Sequence, residues 1–536
     1  MRGADLIAHA LAAAGVNTIY SLSGNQIMPI YDACNDAGIR LIHTRHEGAA
    51  PYMADAHAQL TGGVGVAMIT AAPGFASGLG PLYMARMAES PIILLSGDSP
   101  LSQDGMGAFQ EMDQVAIAAP LCKHAFRPRN ARDLGRDMAL AVRIATSGRP
   151  GPVHVALPFD LLNEDVGDVK APAAADFAPE ATAPDEETVL AIVEALAAAE
   201  RPVVLTGPTL NATRSRGFVG ALADAVDAPV IPMESPRGLN DPSLGNFASV
   251  LAKADTIVVI AKKIDFTTGF GKPPAFAADA KVLVIDPETD VLERARRAFG
   301  GRLVLGRKAD AMVTARAVAE AAAGRSSRAA WRHEMMAAMA IRTQVPAETG
   351  DGPMHPSVLC AAVQRLLDAA DDPILIVDGG EFGQWAQACL SAPTRIINGP
   401  SGSIGGCLCY AVAAKIVRPG ATVVVLMGDG TAGFHFAEFE TAHRYGADFI
   451  AVIGHDSRWN AEYQIMLNTY GAERINECEL NETRYDLAAA GFGCHGEHVE
   501  DPAELDAALA RSADSGLPTC FVGVIEGLPA PAGSGH

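Results

Sequence analysis

Short runs of apolar and β-branched residues recur along nearly all of this 536-residue chain, separated by segments long enough to be helices. In the first third they fall at 18–22, 41–44, 64–70, 92–96 and 153–157. The middle carries them at 203–206, 256–260 and 282–285, the last third at 374–377, 422–427, 449–453 and 520–525. A strand that is apolar at every position is covered on both faces, as in a parallel sheet with helices above and below. The pattern therefore predicts an α/β chain of three doubly wound parallel-sheet domains, at 1–168, 186–325 and 350–536. Residues 169–187, rich in Pro, Ala and acids with no apolar period, predict a semi-rigid spacer. A weaker break is expected at 325–355.

Composition narrows the partners. Against 62 Asp and Glu stand 41 Lys and Arg, a net charge of −21. Such a surface disfavours nucleic acid and anionic membranes. No apolar run reaches the roughly 18–20 residues of a membrane span, and the N-terminal residues lack a leader pattern. Nine cysteines, an odd number without a CxxC pair, suit a reducing cytoplasm. Cys407 and Cys409 are expected as small apolar residues of a packed helix. The absence of G-x-G-x-x-G after an early strand disfavours a nicotinamide enzyme.

The sharpest local motif is Gly428-Asp429-Gly430-Thr431, directly after the run TVVVLM. A glycine turn there lets backbone N–H groups approach a phosphate, and the helix that follows is expected to aim its positive end at it. Asp456 ends the next run, 27 residues on, which places the two carboxylates at neighbouring strand tips. Two hard oxygen ligands suit Mg²⁺ or Ca²⁺.

This pair resembles the cofactor motif of thiamine-diphosphate-dependent enzymes, and the resemblance extends over the whole chain. The run Thr44-Arg45-His46-Glu47-Gly48-Ala49-Ala50 is similar to the segment whose Glu activates the cofactor. Ala72-Pro73-Gly74 looks like the turn beside the pyrimidine ring, and Gly402-Ser403-Ile404-Gly405 like the segment whose bulky residue bends the cofactor. The run from Asp378 through Gly380, Glu381 and Phe382 to Trp385 resembles the diphosphate loop of acetolactate synthases. Glu47, Pro73, Gly74, Gly380, Glu381, Phe382, Gly402, Ser403, Ile404, Gly428, Asp429, Gly430, Thr431, Asp456, Trp459 and Asn460 are therefore expected to bind thiamine diphosphate. Asp429, Asp456 and the backbone carbonyl of Arg458 are the expected Mg²⁺ ligands.

The resemblance also implies roles. Glu47 has to carry a proton to promote the imino form of the pyrimidine ring, which asks for a dry, apolar setting. Gln26 stands where benzaldehyde lyase carries a proton-transferring His, a role an amide cannot fill. Gln110, 63 residues after Glu47, matches a Gln that bonds the intermediate's hydroxyl. Several positions depart from the pattern. Ser77 replaces an Asn after the Pro-Gly turn, Asp456 replaces an Asn, and Glu381 and Phe382 replace Gln and His beside the diphosphate. A carboxylate at 381 repels phosphate unless it points away.

Segments 44–59, 113–127 and 262–273 are similar to benzaldehyde lyase and the 2-hydroxyacyl-CoA lyase/oxalyl-CoA decarboxylase group, whereas 24–33 resembles acetolactate synthase. The tail 527–536 has no Lys or Arg to anchor a nucleotide phosphate, which argues against CoA substrates. The expected activity is C–C bond cleavage or formation next to a carbonyl, by a 2-keto acid decarboxylase/carboligase. A hydroxyketone lyase and a non-catalytic cofactor-binding homologue are the alternatives. The substrate is then a small 2-keto acid, aldehyde or hydroxyketone. The enzyme is expected to be a cytoplasmic homodimer or homotetramer whose active sites are shared between chains.

Overall fold

The computed structural model describes residues 1–322, 328–341 and 352–531. Seventeen strands form three sheets, parallel in every pairing. The first contains β1 (Thr18–Ser21), β2 (Arg40–His43), β3 (Gly65–Ile69), β4 (Ile92–Asp98), β5 (His124–Phe126) and β6 (Val153–Pro158), in the order β2-β1-β3-β4-β6-β5. The second contains β7 (Pro202–Thr206), β8 (Val230–Pro232), β9 (Thr256–Ile260), β10 (Lys281–Ile285) and β11 (Leu303–Arg307), ordered β11-β10-β9-β7-β8. The third contains β12 (Pro373–Val377), β13 (Thr394–Ile397), β14 (Thr422–Gly428), β15 (Ile450–His455), β16 (His495–Val499) and β17 (Thr519–Val524), ordered β13-β12-β14-β15-β17-β16.

β9 explains the continuous apolar runs. Its Ile257 and Val259 pack with Phe247, Leu251 and Phe276 on one face, while Val258 and Ile260 pack with Ile192, Leu222 and Val318 on the other. Both faces are buried, so alternation cannot leave a polar side.

Five strands lie outside the apolar runs: β5, β8, β11, β13 and β16. All five are sheet edges. Most are only part-buried, so the continuous apolar signal that marks an interior strand is missing from them.

The chain forms two compact units. One comprises Met1–Glu180 with Leu408–Pro419 and His435–Ala447; the other takes the remainder. Within the first, the predicted spacer is not free. Its Phe177 is buried in the core of the first sheet, and Pro172 lies against Gly135 of the helix Leu134–Thr146. The expected break at 325–355 falls largely outside the described residues. The helix Ala329–Met339 packs Trp331, Met335 and Ala338 into the core of the second sheet. Cys407 and Cys409 are buried on the helix Cys407–Val417. No described helix is long and apolar enough to cross a membrane.

β3 runs so close to the helix Ala49–Thr61 that a Cβ on Gly65 would lie 1.9 Å from the carbonyl oxygen of Ala54. Gly65→Ala should therefore destabilise the protein by about 1–3 kcal/mol, read as a lowered urea midpoint. An unchanged midpoint would contradict this close approach.

Candidate functional site

Two groups of candidate residues sit at the carboxyl edges of two sheets, one in each unit. In the first sheet the strand order reverses between β1 and β3, which opens a crevice beyond their carboxyl ends. The segments that enter it follow β1, β2 and β3.

Gln26, after β1, is buried at 5% exposure, and its carboxamide is engaged at both ends. Its Nε2 donates to Gln110 Oε1 at 2.7 Å, and its Oε1 accepts from the Thr70 hydroxyl at 2.7 Å. Gln110 adopts a left-handed backbone, φ +59°, and is half-buried. Thr70 follows β3, and its side chain occupies the space a Cβ on Gly24 or Gly74 would need. The same Cβ position on Gly74 lies 3.6 Å from Glu47 Cγ and Oε1. Glu47, Pro73–Gly74, Thr70, Gln26 and Gln110 thus converge on one edge. Ser77 turns its hydroxyl back to the carbonyl of Pro73, 3.1 Å away.

Glu47 departs from expectation in one respect. It is half-buried on the single chain and not fully enclosed.

The second group lines a cavity of about 210 Å³ at the carboxyl edge of the third sheet, where the order reverses between β12 and β14. Gly380, Glu381, Phe382, Gly402, Ile404, Gly428, Asp429, Gly430, Thr431, Asp456, Arg458, Trp459 and Asn460 all border it. Ser403 does not, although its carbonyl accepts from Asn398 Nδ2 at 3.0 Å and so shapes the adjoining loop. Ile404 packs its Cγ2 where a Cβ on Gly379 would stand. Gly402, exposed at φ +67°, has open space before it.

A correction concerns the helix dipole. Only a single turn, Asp429–Ala432, follows β14. Two longer helices start at this wall, Gly380–Cys389 after β12 and Asn460–Tyr470 after β15, and the N–H groups of their first turns are available to an anion there.

Glu381, at the cavity wall, has both carboxylate oxygens engaged. Its Oε1 accepts the N–H of Ala530 at 2.6 Å and its Oε2 accepts Gln384 Nε2 at 3.1 Å. Phe382 is buried against Gly428 and Gly454, so it serves as the cavity's floor. Trp459 stands over Gly430 and edge-on to Phe434. Asn460 donates to the carbonyl of Leu528 at 3.1 Å.

β14 and β15 pair directly, which brings Asp429 and Asp456 to adjacent tips. Asp429 is buried; its Oδ2 accepts the N–H of Ser457 at 2.7 Å and lies 2.9 Å from His455 Nδ1. Burial, and then the charge of Asp429, push the Asp456 carboxyl up to about 7. Two like charges this close favour a cation between them, and two carboxylates with nearby carbonyls are a hard-cation donor set. Among the described residues no group of three or more His, Cys, Asp or Glu is arranged for a metal, so phosphate, carbonyl and water oxygens would complete such a shell.

Thr70 lies outside the expected site residues, and Asp378 enters them only as the start of the run that resembles a diphosphate loop. Asp378 is wholly buried at the end of β12, where its carboxylate accepts the N–H groups of Gly379 (2.7 Å), Gly405 (3.0 Å) and Cys407 (3.2 Å). It ties the Gly379–Gly380 turn to the loop that carries Ile404. Burial pushes its carboxyl up to about 6. An acid before a glycine pair at a strand end was the available signal.

Three family profiles match the chain: "Thiamine pyrophosphate enzyme, N-terminal TPP binding domain" at residues 1–117, the central domain at 189–301 and the C-terminal TPP binding domain at 378–522. A "Probable acetolactate synthase" of Mycobacterium bovis is 32% identical over 530 residues, covering 97% of this chain and 94% of that protein. "2-hydroxyacyl-CoA lyase 2" of Homo sapiens is 30% identical over 545 residues, covering 92% of this chain and 84% of that protein.

Thr70→Val keeps the shape of the threonine but removes the donor to Gln26. It should cost about 0.5–1.5 kcal/mol of unfolding free energy, measured by chemical denaturation. A neutral substitution would show that Gln26 does not depend on this bond.

Proposed function

Because the chain belongs to the thiamine pyrophosphate enzyme family, we propose that it is a thiamine-diphosphate- and Mg²⁺-dependent 2-keto acid decarboxylase/carboligase of the acetolactate-synthase kind. The observation that carries this reading is the near full-length similarity to acetolactate synthase. Support from the geometry comes from Glu47 beside the Pro73–Gly74 turn and from the Asp429–Asp456 pair.

When bound, thiamine diphosphate supplies a carbon nucleophile and an adjacent electron sink for making or breaking a bond next to a carbonyl. The chain's own residues prepare that chemistry. Glu47 would present its carboxyl to the pyrimidine ring beside the Pro73–Gly74 turn. Asp429, Asp456 and the Arg458 carbonyl would hold Mg²⁺, and the N–H groups that open the helix Gly380–Cys389 would meet the diphosphate. Ile404 would pack against the cofactor. Gln26 and Gln110 orient substrate oxygen by hydrogen bonds without exchanging protons. Trp459 and Asn460 limit access of water. The working form is a homo-oligomer with sites shared between chains, and its nine free cysteines fit a cytoplasmic location.

A second reading, a lyase of 2-hydroxyacyl compounds, is favoured by the similarity to 2-hydroxyacyl-CoA lyase 2. Turnover of pyruvate, benzoylformate, benzoin, acetoin and a 2-hydroxyacyl-CoA separates the two. Release of CO₂ with a ligated hydroxyketo product from pyruvate is the expected result. Aldehyde release from the thioester alone would replace the first reading with the second.

Glu47→Gln should lower kcat by about 10²–10⁴-fold while the cofactor still binds. Asp429→Asn should remove the Mg²⁺-dependent gain in Tm on adding thiamine diphosphate. If the unaltered protein gains no Tm from cofactor and Mg²⁺ together, the proposal fails.

A further inference from the structure

Residues 43–46, which lead from β2 to Glu47, are held by a helix nearly four hundred residues further along the chain and within the same unit. The helix is Glu438–Tyr445. Oε1 of Glu438 accepts the backbone N–H of Arg45 at 3.0 Å and that of His46 at 3.1 Å. Its Oε2 accepts the Thr441 hydroxyl at 2.7 Å. At the far end of the helix, the Tyr445 hydroxyl accepts the N–H of His43 at 2.8 Å, and the Arg444 guanidinium donates to the His43 carbonyl at 2.8 Å.

β2 is an edge strand, so no further strand pairs its outer side. Side chains of one helix take over that work at its carboxyl end. Glu438 is wholly buried, and burial pushes its carboxyl up to about 7. A buried carboxyl that meets only two loop amides and a neighbouring hydroxyl is an unusual way to hold a surface loop. It is well suited to fixing one peptide in place.

The residues on both sides of Glu47 are fixed as a result. Glu438 holds the N–H of His46, and the His46 ring accepts the N–H of Gly48 through Nδ1 at 3.0 Å. That ring also packs edge-on to His435, 5.5 Å between centroids. With its neighbours pinned, Glu47 is left to direct its side chain along Gly74.

We propose that Glu438 is a positioning residue for Glu47: its buried carboxylate grips the Arg45 and His46 amides and sets the height of the Glu47 side chain above the Pro73–Gly74 turn. The inference rests on the reading of Glu47 as the activating carboxyl. It assigns Glu438 no contact with cofactor or substrate.

The test measures kcat, the KM for thiamine diphosphate and Tm for Glu438→Ala and Glu438→Gln, each alone and combined with Glu47→Gln. Glu438→Ala should lower kcat about ten- to a hundred-fold, the scale of a small misplacement of a reacting group, with the cofactor KM unchanged. Glu438→Gln keeps an oxygen able to accept both amides and should recover most of the rate. In the Glu47→Gln background, Glu438→Ala should cost nothing further. Wild-type kcat in folded Glu438→Ala overturns the proposal, as does an equal loss in both backgrounds. If Glu438→Ala does not fold, Glu438→Asp takes its place, since it retains the charge but falls short of the amides; an unchanged kcat there also overturns it. Full turnover by Glu47→Gln would instead defeat the functional reading itself.

Discussion

The requirement to bury parallel strands on both faces governs this molecule. Once helices cover both sides of a sheet, chemistry is left with the loops at strand ends, and the reversal of strand order separates two neighbouring loops to open a crevice. The first sheet reverses between β1 and β3, and Gln26, Thr70 and Gly74 follow those strands. The third reverses between β12 and β14, and Gly380 and Asp429 follow those. Position at the carboxyl edge of a sheet, more than any single side chain, groups the candidate residues within each unit.

Buried carboxylates then hold the loops in place. Asp378 gathers amides from two loops beside the cavity, and Glu438 gathers two from the stretch before Glu47. Loop amides have no ladder to bond to, so an acid that accepts several of them replaces missing secondary structure. Burial raises the pKa of both carboxyls, which measures how far they have been taken from water. Glu381 acts by a related principle. Its carboxylate, at the cavity wall, is held by the Ala530 N–H and the Gln384 amide.

Interior strands were legible in the sequence because both of their faces are apolar, as Ile257, Val258, Val259 and Ile260 illustrate. Edge strands such as β13 and β16 were not, since partial exposure admits Arg395 to the first and His495, Glu497 and His498 to the second. The spacer misled in the opposite sense. Phe177 is the one aromatic residue in a stretch of Pro, Ala and acids, too little for a periodic signal and enough to dock the segment. Asp429 and Asp456 could be paired from spacing because one β-α-β unit has a regular length. Glu438 could not be joined to residues 43–46, because nothing in a linear pattern links a helix to a loop four hundred positions away.

The sequence by itself determined the α/β class, the covered interior strands and the glycine-and-acid turns, all of which are local consequences of periodicity and turn chemistry. Only the tertiary structure decided which helix N-termini face the cavity, where the Glu381 carboxylate points, and what holds Glu47. Those outcomes depend on contacts between residues far apart in the chain, such as Glu381 with Ala530 and Glu438 with His46, and such contacts exist only once each unit has folded.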